Sequence, residues 1–336
     1  MQPSSRRRAT RLPDLRRVDR ASSWLEGADG GRSGRVTVLT YHRVDEPQAR
    51  PDLWPGLISA DPRRFRKHVE LLASRHVPIS MSELLSARRD GRRLPRHAVL
   101  VTFDDAYCDF AENAWPTLKH YGVPTTLFVP TAYPDHPART FWWDRLYAAV
   151  VGTRIPRLRT DGMGYSLSSE ADRHAAFSAL HRVVVDMPHA QAMSLLNSLI
   201  SQLGEPKSAP AVLGWTELRA LAAAGVTLAP HSRSHPRLDR IDEEELENEI
   251  RGSLDDLRER VPEAPAVFAY PSGAYDTATL DAVRRSGIEI AFGTQRRGIE
   301  VDRADWLRLP RINVGRRTHP TVLRAQLGSW MRLIGR

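Results

Sequence analysis

The stretch Val99-Leu100-Val101-Thr102-Phe103-Asp104-Asp105-Ala106-Tyr107-Cys108-Asp109 runs from an apolar, β-branched segment straight into two adjacent carboxylates. Its first five residues have the pattern of a strand covered on both faces, as in a parallel sheet. Two neighbouring acids at the end of such a strand are costly in an interior unless a cation or a shared proton neutralises them. With a divalent metal present, one carboxylate binds it and the other, just off it, handles a proton. Without one, the pair is a solvated turn or a helix cap, and the dipeptide alone does not separate these readings.

The same pattern of a strand running into polar residues recurs on either side. Arg35 to Tyr41 predicts a strand that delivers His42 at its end, and Thr125 to Val129 predicts another. Val226 to Ala229 leads into Pro230-His231-Ser232-Arg233-Ser234-His235-Pro236, and Ala266 to Tyr270 into Pro271-Ser272-Gly273-Ala274-Tyr275-Asp276. Helical spacing fills the intervals. Phe65, Val69 and Leu72 follow Asp61-Pro62, a helix is expected over Phe110 to Tyr121 up to Gly122, and others over Trp215 to Ala224, Asp242 to Arg260 and Thr279 to Ser286. Strand and helix alternating at this pitch give an α/β fold. Residues 136–211 break the rhythm with Phe141-Trp142-Trp143-Asp144-Arg145-Leu146 and a helical pattern from Glu170 to Leu203. They read as a mostly helical insertion packed on the barrel.

The chain has 336 residues and a formal charge of +9, of which nine Arg against four acidic residues in positions 1–35 supply +5. Residues 1–34 read as a disordered basic arm, a solvated tail before a contact for anionic lipid or nucleic acid. The remaining charge asks for no nucleic-acid partner. No apolar core follows the N-terminal arginines and no run is long enough to span a bilayer, so the expectation is a cytoplasmic protein. Cys108, the single cysteine, fits a reducing compartment and reads as a structural thiol. Residues 321–336 predict a basic amphipathic helix that packs on the barrel or makes a weak peripheral membrane contact. Oligomeric state is not legible.

His231 and His235, four apart after a strand, can join a carboxylate on one face of a metal and leave positions open for water and substrate. Asp104-Asp105, His42 and the Pro271-Ser272-Gly273 turn also fall at strand C-terminal ends, where parallel barrels gather their chemistry. Thr102-Phe103-Asp104-Asp105, His231-Ser232-Arg233-Ser234-His235 and Phe268-Ala269-Tyr270-Pro271-Ser272-Gly273 resemble the first three motifs of the polysaccharide deacetylase family, carbohydrate esterase family 4, the NodB-homology domain. With Leu39-Thr40-Tyr41-His42-Arg43-Val44, the resemblance spans about residues 36–135 and 212–315. It implies a distorted (β/α) barrel with fewer than eight repeats over residues 35–320, and metal-dependent removal of N- or O-acetyl groups from a glycan or glycoconjugate. Carried over by position, it implies Asp105, His231 and His235 as ligands of a divalent metal, usually zinc. Asp104 matches the general base, and the Ser272 N–H the donor to the oxyanion.

Departures from the family pattern set further expectations. Ala106 stands where the family has Gly, a minor change if its φ is negative. The third-motif Arg that braces the base falls at Ala269; Arg311 in Leu309-Pro310-Arg311-Ile312 is the substitute, or else a structural arginine. No late Leu-x-x-His motif is found, and His319 fits it poorly. In the subgroup with an early Tyr-His pair and a Tyr-Pro-x-Gly third motif, the early His supplies the general acid, which assigns His42 that role over a purely structural one. Tyr107, Tyr275 and Trp143, with Trp142, are candidates to stack on sugar rings; for the two tryptophans the other reading is an anchor for the insertion. Asp144 either reaches the site or caps the following helix. The alternative to an enzyme is a barrel that has lost catalysis and binds a glycan or partner, and the intact Asp104, Asp105, His231 and His235 speak against it.

Overall fold

The structure is a computed structural model that describes residues 34–160, 162–207 and 209–328. All of the expected basic arm but Gly34, and the end of the C-terminal helix, lie outside the described residues. The strands are β1 (Arg35–Tyr41), β2 (Arg43–Val44), β3 (Ile58–Ala60), β4 (Val77–Pro78), β5 (Ala98–Phe103), β6 (Thr125–Val129), β7 (Arg157–Thr160), β8 (Met163–Ser166), β9 (Thr227–Pro230), β10 (Val267–Ala269), β11 (Ile290–Phe292), β12 (Ile299–Glu300) and β13 (Ile312–Asn313).

One sheet runs β12-β1-β5-β6-β9, with β13 on β1 and β4 on β5, while β10 and β11 form a separate parallel pair. β1 pairs β13 and β5, β5 pairs β6, and β6 pairs β9, all in parallel. The register aligns the strand ends: Tyr41 faces Phe103, Phe103 faces Leu127, and Val129 faces Pro230. His42, Asp104 and His231 therefore emerge at one end of the sheet. Side chains alternate between two cores. Val38, Leu100, Phe128, Ala229, Ala269 and Phe292 fill the interior, which Met81, Leu84 and Leu85 of the helix Met81–Asp90 also enter. Leu39, Val101, Phe103, Leu127 and Leu228 point outward against Phe65, Leu72, Phe110 and Leu218 of the surrounding helices. Every residue of β5 is buried, as its apolar run predicts. The arrangement is the expected distorted α/β barrel, with an open join between β9 and β10.

Helix ends follow local chemistry. Asp61 accepts from the Arg64 N–H to start the helix Pro62–Arg75, and Ser80 with Glu83 makes a capping box for Met81–Asp90. The helix expected from Phe110 begins as a π-helical turn, Phe110–Ala114, before Trp115–His120. The insertion departs further from expectation. Its helix Trp142–Gly152 is followed by the antiparallel strand pair β7–β8, and the long helical segment is two helices, Glu170–Asp186 and His189–Leu203. Pro188 cannot continue the first helix and serves as N-cap of the second. Leu146, Val150, Leu158, Phe177, Leu180, Leu199 and Ile200 give the insertion its own core. The C-terminal helix spans Pro320–Leu327 among the described residues, with Leu323 buried in the barrel's outer core. No helix of the described residues is long and apolar enough to cross a membrane.

Candidate functional site

Asp105, His231 and His235 converge at the end of β5 and β9, all three buried. Asp105 Oδ1 lies 3.3 Å from His235 Nε2 and 3.6 Å from His231 Nε2. Ligand atoms about 2.0–2.2 Å from a tetrahedral zinc sit about 3.4 Å apart, so these separations suit one small cation. Two further observations fit. Asp105 Oδ1 is buried with no hydrogen-bond partner, a costly state that a cation would relieve. His231 Nδ1–H donates to the Ala269 carbonyl at 2.7 Å, which fixes the tautomer and leaves Nε2 with its lone pair free. Burial lowers the His231 pKa to about 4, so the ring is neutral, as a ligand must be. Burial pushes Asp105 upward, but its pairing with His235 outweighs it and holds the carboxyl at about 2.

Asp104 stands just off this cluster, with Oδ2 3.9 Å from His231 Nε2. Arg311, fully buried, grips it with both arms: Nη1 donates to Oδ1 at 2.7 Å and Nη2 to Oδ2 at 2.8 Å. The Arg311 Nε donates to the Gly293 carbonyl, and its guanidinium lies over Phe128 and Phe292. Burial raises the Asp104 pKa, but the Arg311 guanidinium overrides it and keeps the acid below its ordinary value. The substitute brace expected from the sequence thus reaches the carboxylate. His42 is half-buried at the end of β1. His319 instead caps the helix Pro320–Leu327 and is exposed.

The loops here are strained. Five of the six non-glycine residues with positive φ among the described residues are Asp105, Ala106, Ser232, His235 and Ser272. Ala106 has φ +52, so the condition for a minor change is not met and the replacement of Gly costs about 1–2 kcal/mol. The His231–His235 loop is braced by residues that the motif did not reveal. Glu249 accepts from the Arg233 N–H, the Ser234 N–H and the Ser234 hydroxyl, and the His235 N–H donates to Ser232 Oγ. Ser272 lies in a turn whose Gly273 and Ala274 N–H groups donate to Tyr270 and Pro271. Gly273 has φ +68, and a Cβ there would collide with the Thr294 side chain.

Two of the four aromatic candidates are corrected. Tyr107 is 1% exposed, its ring lies between the Arg43 guanidinium and Phe141, and its hydroxyl donates to Asp144 Oδ2 at 2.6 Å. It has no face free for a sugar. Trp143 is 6% exposed, stacked on Phe141 and edge-on to His235, so it walls the cluster instead of offering a platform. Tyr275 retains partial exposure, with its hydroxyl accepting from Gln295. Asp144 does not cap its helix; it is buried, also accepts from the Trp54 N–H, and burial pushes its pKa up to about 7. Trp142 joins His235, Ser272, Arg237, Met187 and Met193 around a cavity between the insertion and the barrel.

The family described as polysaccharide deacetylase matches residues 91–291. A poly-β-1,6-N-acetyl-D-glucosamine N-deacetylase of Staphylococcus epidermidis is 20% identical over 296 residues, covering 85% of this chain and 81% of the relative. The enzyme of the same name from Escherichia coli (strain K12) is 28% identical over 101 residues, 30% of this chain, which spans only 15% of that relative's length. Among solved structures, the Streptococcus pyogenes deacetylase PplD in complex with acetate superposes with a TM-score of 0.60 at 17% identity, covering 88% of this chain and 99% of that one. IcaB from Ammonifex degensii gives 0.54 at 17% identity, covering 88% and 97%. At these identities the superpositions speak for the fold. The family match extends over more than half of the residues and contains both the paired aspartates and the two histidines, and on that ground the chain belongs to the polysaccharide deacetylase family.

Proposed function

We propose that this protein is a metal-dependent N-deacetylase acting on an N-acetylated aminosugar in a glycan or glycoconjugate. The observation that carries the reading is the pairing of two unlike carboxylates. Asp105 sits with an orphaned oxygen against His231 and His235, while Asp104 beside it is locked ionised by Arg311. Asp105, His231 and His235 would hold the cation; two ring nitrogens and one carboxylate oxygen suit zinc. The chemistry a divalent cation held there would supply is Lewis acidity, lowering the pKa of water and polarising an acyl oxygen. Asp104 is the base that takes the proton from the attacking water, and Arg311 keeps it ionised and oriented. The Ser272 N–H donates to the developing oxyanion. His42 gives a proton to the leaving amine, a role suited to an imidazole. Tyr275 and Trp142 are the aromatics left to meet a sugar ring.

The test is acetate release from a panel of N-acetylated sugars and oligosaccharides, including β-1,6-linked N-acetylglucosamine oligomers, with and without added zinc. Metal-dependent release that Asp104→Asn lowers by at least about 10²-fold would support the reading. Release that survives Asp104→Asn unchanged would overturn the assignment of the base. Absence of release from protein carrying one zinc per chain would favour a glycan-binding barrel.

A further inference from the structure

The insertion is tied to the candidate metal centre at both of its ends, and Tyr107, two residues after Asp105, receives both ties. At the start of the insertion, the Tyr107 hydroxyl donates to Asp144 Oδ2 at 2.6 Å and accepts from Trp143 Nε1–H at 2.9 Å. Asp144 Oδ1 takes the Trp54 N–H at 2.7 Å, drawing in the loop before β3. Where the insertion returns, Val212 bridges Tyr107, the Cys108 N–H donates to the Ala211 carbonyl at 2.8 Å, and the Leu213 N–H donates to the Ala106 carbonyl at 2.9 Å. Trp143 then passes the constraint on: its ring packs edge-on against His235 at 4.9 Å between centroids, with Phe141 stacked behind it at 4.5 Å. The two histidines are thus oriented differently. His231 is held by its hydrogen bond to the Ala269 carbonyl, and His235 by aromatic rings that the insertion supplies.

We infer that Tyr107, Trp143 and Asp144 are positioning residues for the metal centre, and that through them the insertion sets the approach of Asp105 and His235. The inference rests on the proposed Asp105–His231–His235 ligand set. Tyr107 holds the backbone of a turn in which Asp105 and Ala106 both have positive φ, a conformation that does not persist without outside support. Groups that orient metal ligands from behind typically change affinity 10–100-fold when removed.

The experiment is a zinc dissociation constant, measured by competition with a chromogenic chelator, for the full chain and for Tyr107→Phe, Asp144→Asn and Trp143→Phe. Apo-protein melting is recorded alongside. Tyr107→Phe keeps the ring and deletes only the hydroxyl, so it is the variant least prone to misfold. Tyr107→Phe and Asp144→Asn are expected to weaken zinc binding by about tenfold or more. Arg145→Ala, which removes an exposed ion pair with Glu205 inside the insertion, leaves it unchanged. A lower apo melting temperature with an unaltered zinc constant in Tyr107→Phe and Asp144→Asn would overturn the inference and leave these residues a purely structural role. If the unaltered chain binds no zinc while Asp105→Ala behaves identically, the ligand set itself fails and the inference with it.

Discussion

A buried carboxylate beside a cluster of imidazoles must be kept ionised by something that does not itself titrate, and Arg311 meets that need for Asp104. Removing the guanidinium as Arg311→Met keeps the packing on Phe128 and Phe292 but leaves Asp104 in the interior without its counter-charge. The expected loss is about 3–5 kcal/mol near neutral pH. Its pH dependence has a definite sign. Asp104 is held below its ordinary pKa, so the pair's stabilisation is present above the unfolded value and is lost as pH falls through the folded one. In Arg311→Met the Asp104 pKa rises, so the deficit shrinks as pH is lowered from 7 to 4.5, and the acid limb of kcat/KM moves to higher pH. Urea unfolding at the two pH values reads the first effect; an equal deficit at both would mean that Arg311 contributes by packing alone. This residue was legible in the sequence because an arginine near a strand end is a recognisable type at a recognisable place. Tyr107 was misread, and the φ of Ala106 left open, because burial and backbone sign depend on segments distant in sequence, Asp144 lying 37 residues on and Val212 further still.

At the scale of elements, the loops of the candidate site are only as firm as the helices behind them. The helix Glu243–Arg260 carries acids along its whole length. One of those acids, Glu249, is turned inward and collects two backbone N–H groups and a hydroxyl from the His231–His235 loop. Glu249→Ala strands those donors, costing about 1–3 kcal/mol and loosening the loop that carries two of the proposed ligands. The expected outcome is a lower melting temperature together with weaker zinc binding, and Glu249→Gln, which keeps one acceptor, recovers part of both. Unchanged melting would show that the loop holds itself. Strand positions were legible because β5, β6 and β9 are short apolar runs bounded by turn residues. The β7–β8 pair was not, since its residues are mostly exposed and carry little hydrophobic alternation. The break at Pro188 was masked by apolar spacing that continues on both sides of it.

Across the whole molecule, the sheet is continuous from β13 through β1, β5 and β6 to β9, and resumes as β10–β11. Between β9 and β10 the link at the active end is a side chain, His231 Nδ1 to the Ala269 carbonyl. Below it the two sheets share the interior core of Phe128, Ala229, Val267, Ala269, Ile290 and Phe292. The proposed ligands come from the ends of β5 and β9, so a cation bound by Asp105, His231 and His235 would cross-link the strand ends that border this join. Binding to the folded chain alone stabilises it by about 2.7 kcal/mol when free metal is a hundredfold above its dissociation constant. Scanning calorimetry is therefore expected to show a melting temperature that rises by several degrees with zinc, continues to climb with its concentration, and returns to the apo value with a chelator. The rise should vanish in Asp105→Ala and persist in Asp104→Asn, because Asp104 lies off the cluster and its oxygens belong to Arg311. A zinc-dependent rise that survives Asp105→Ala would move the metal away from the strand ends and take the proposed chemistry with it.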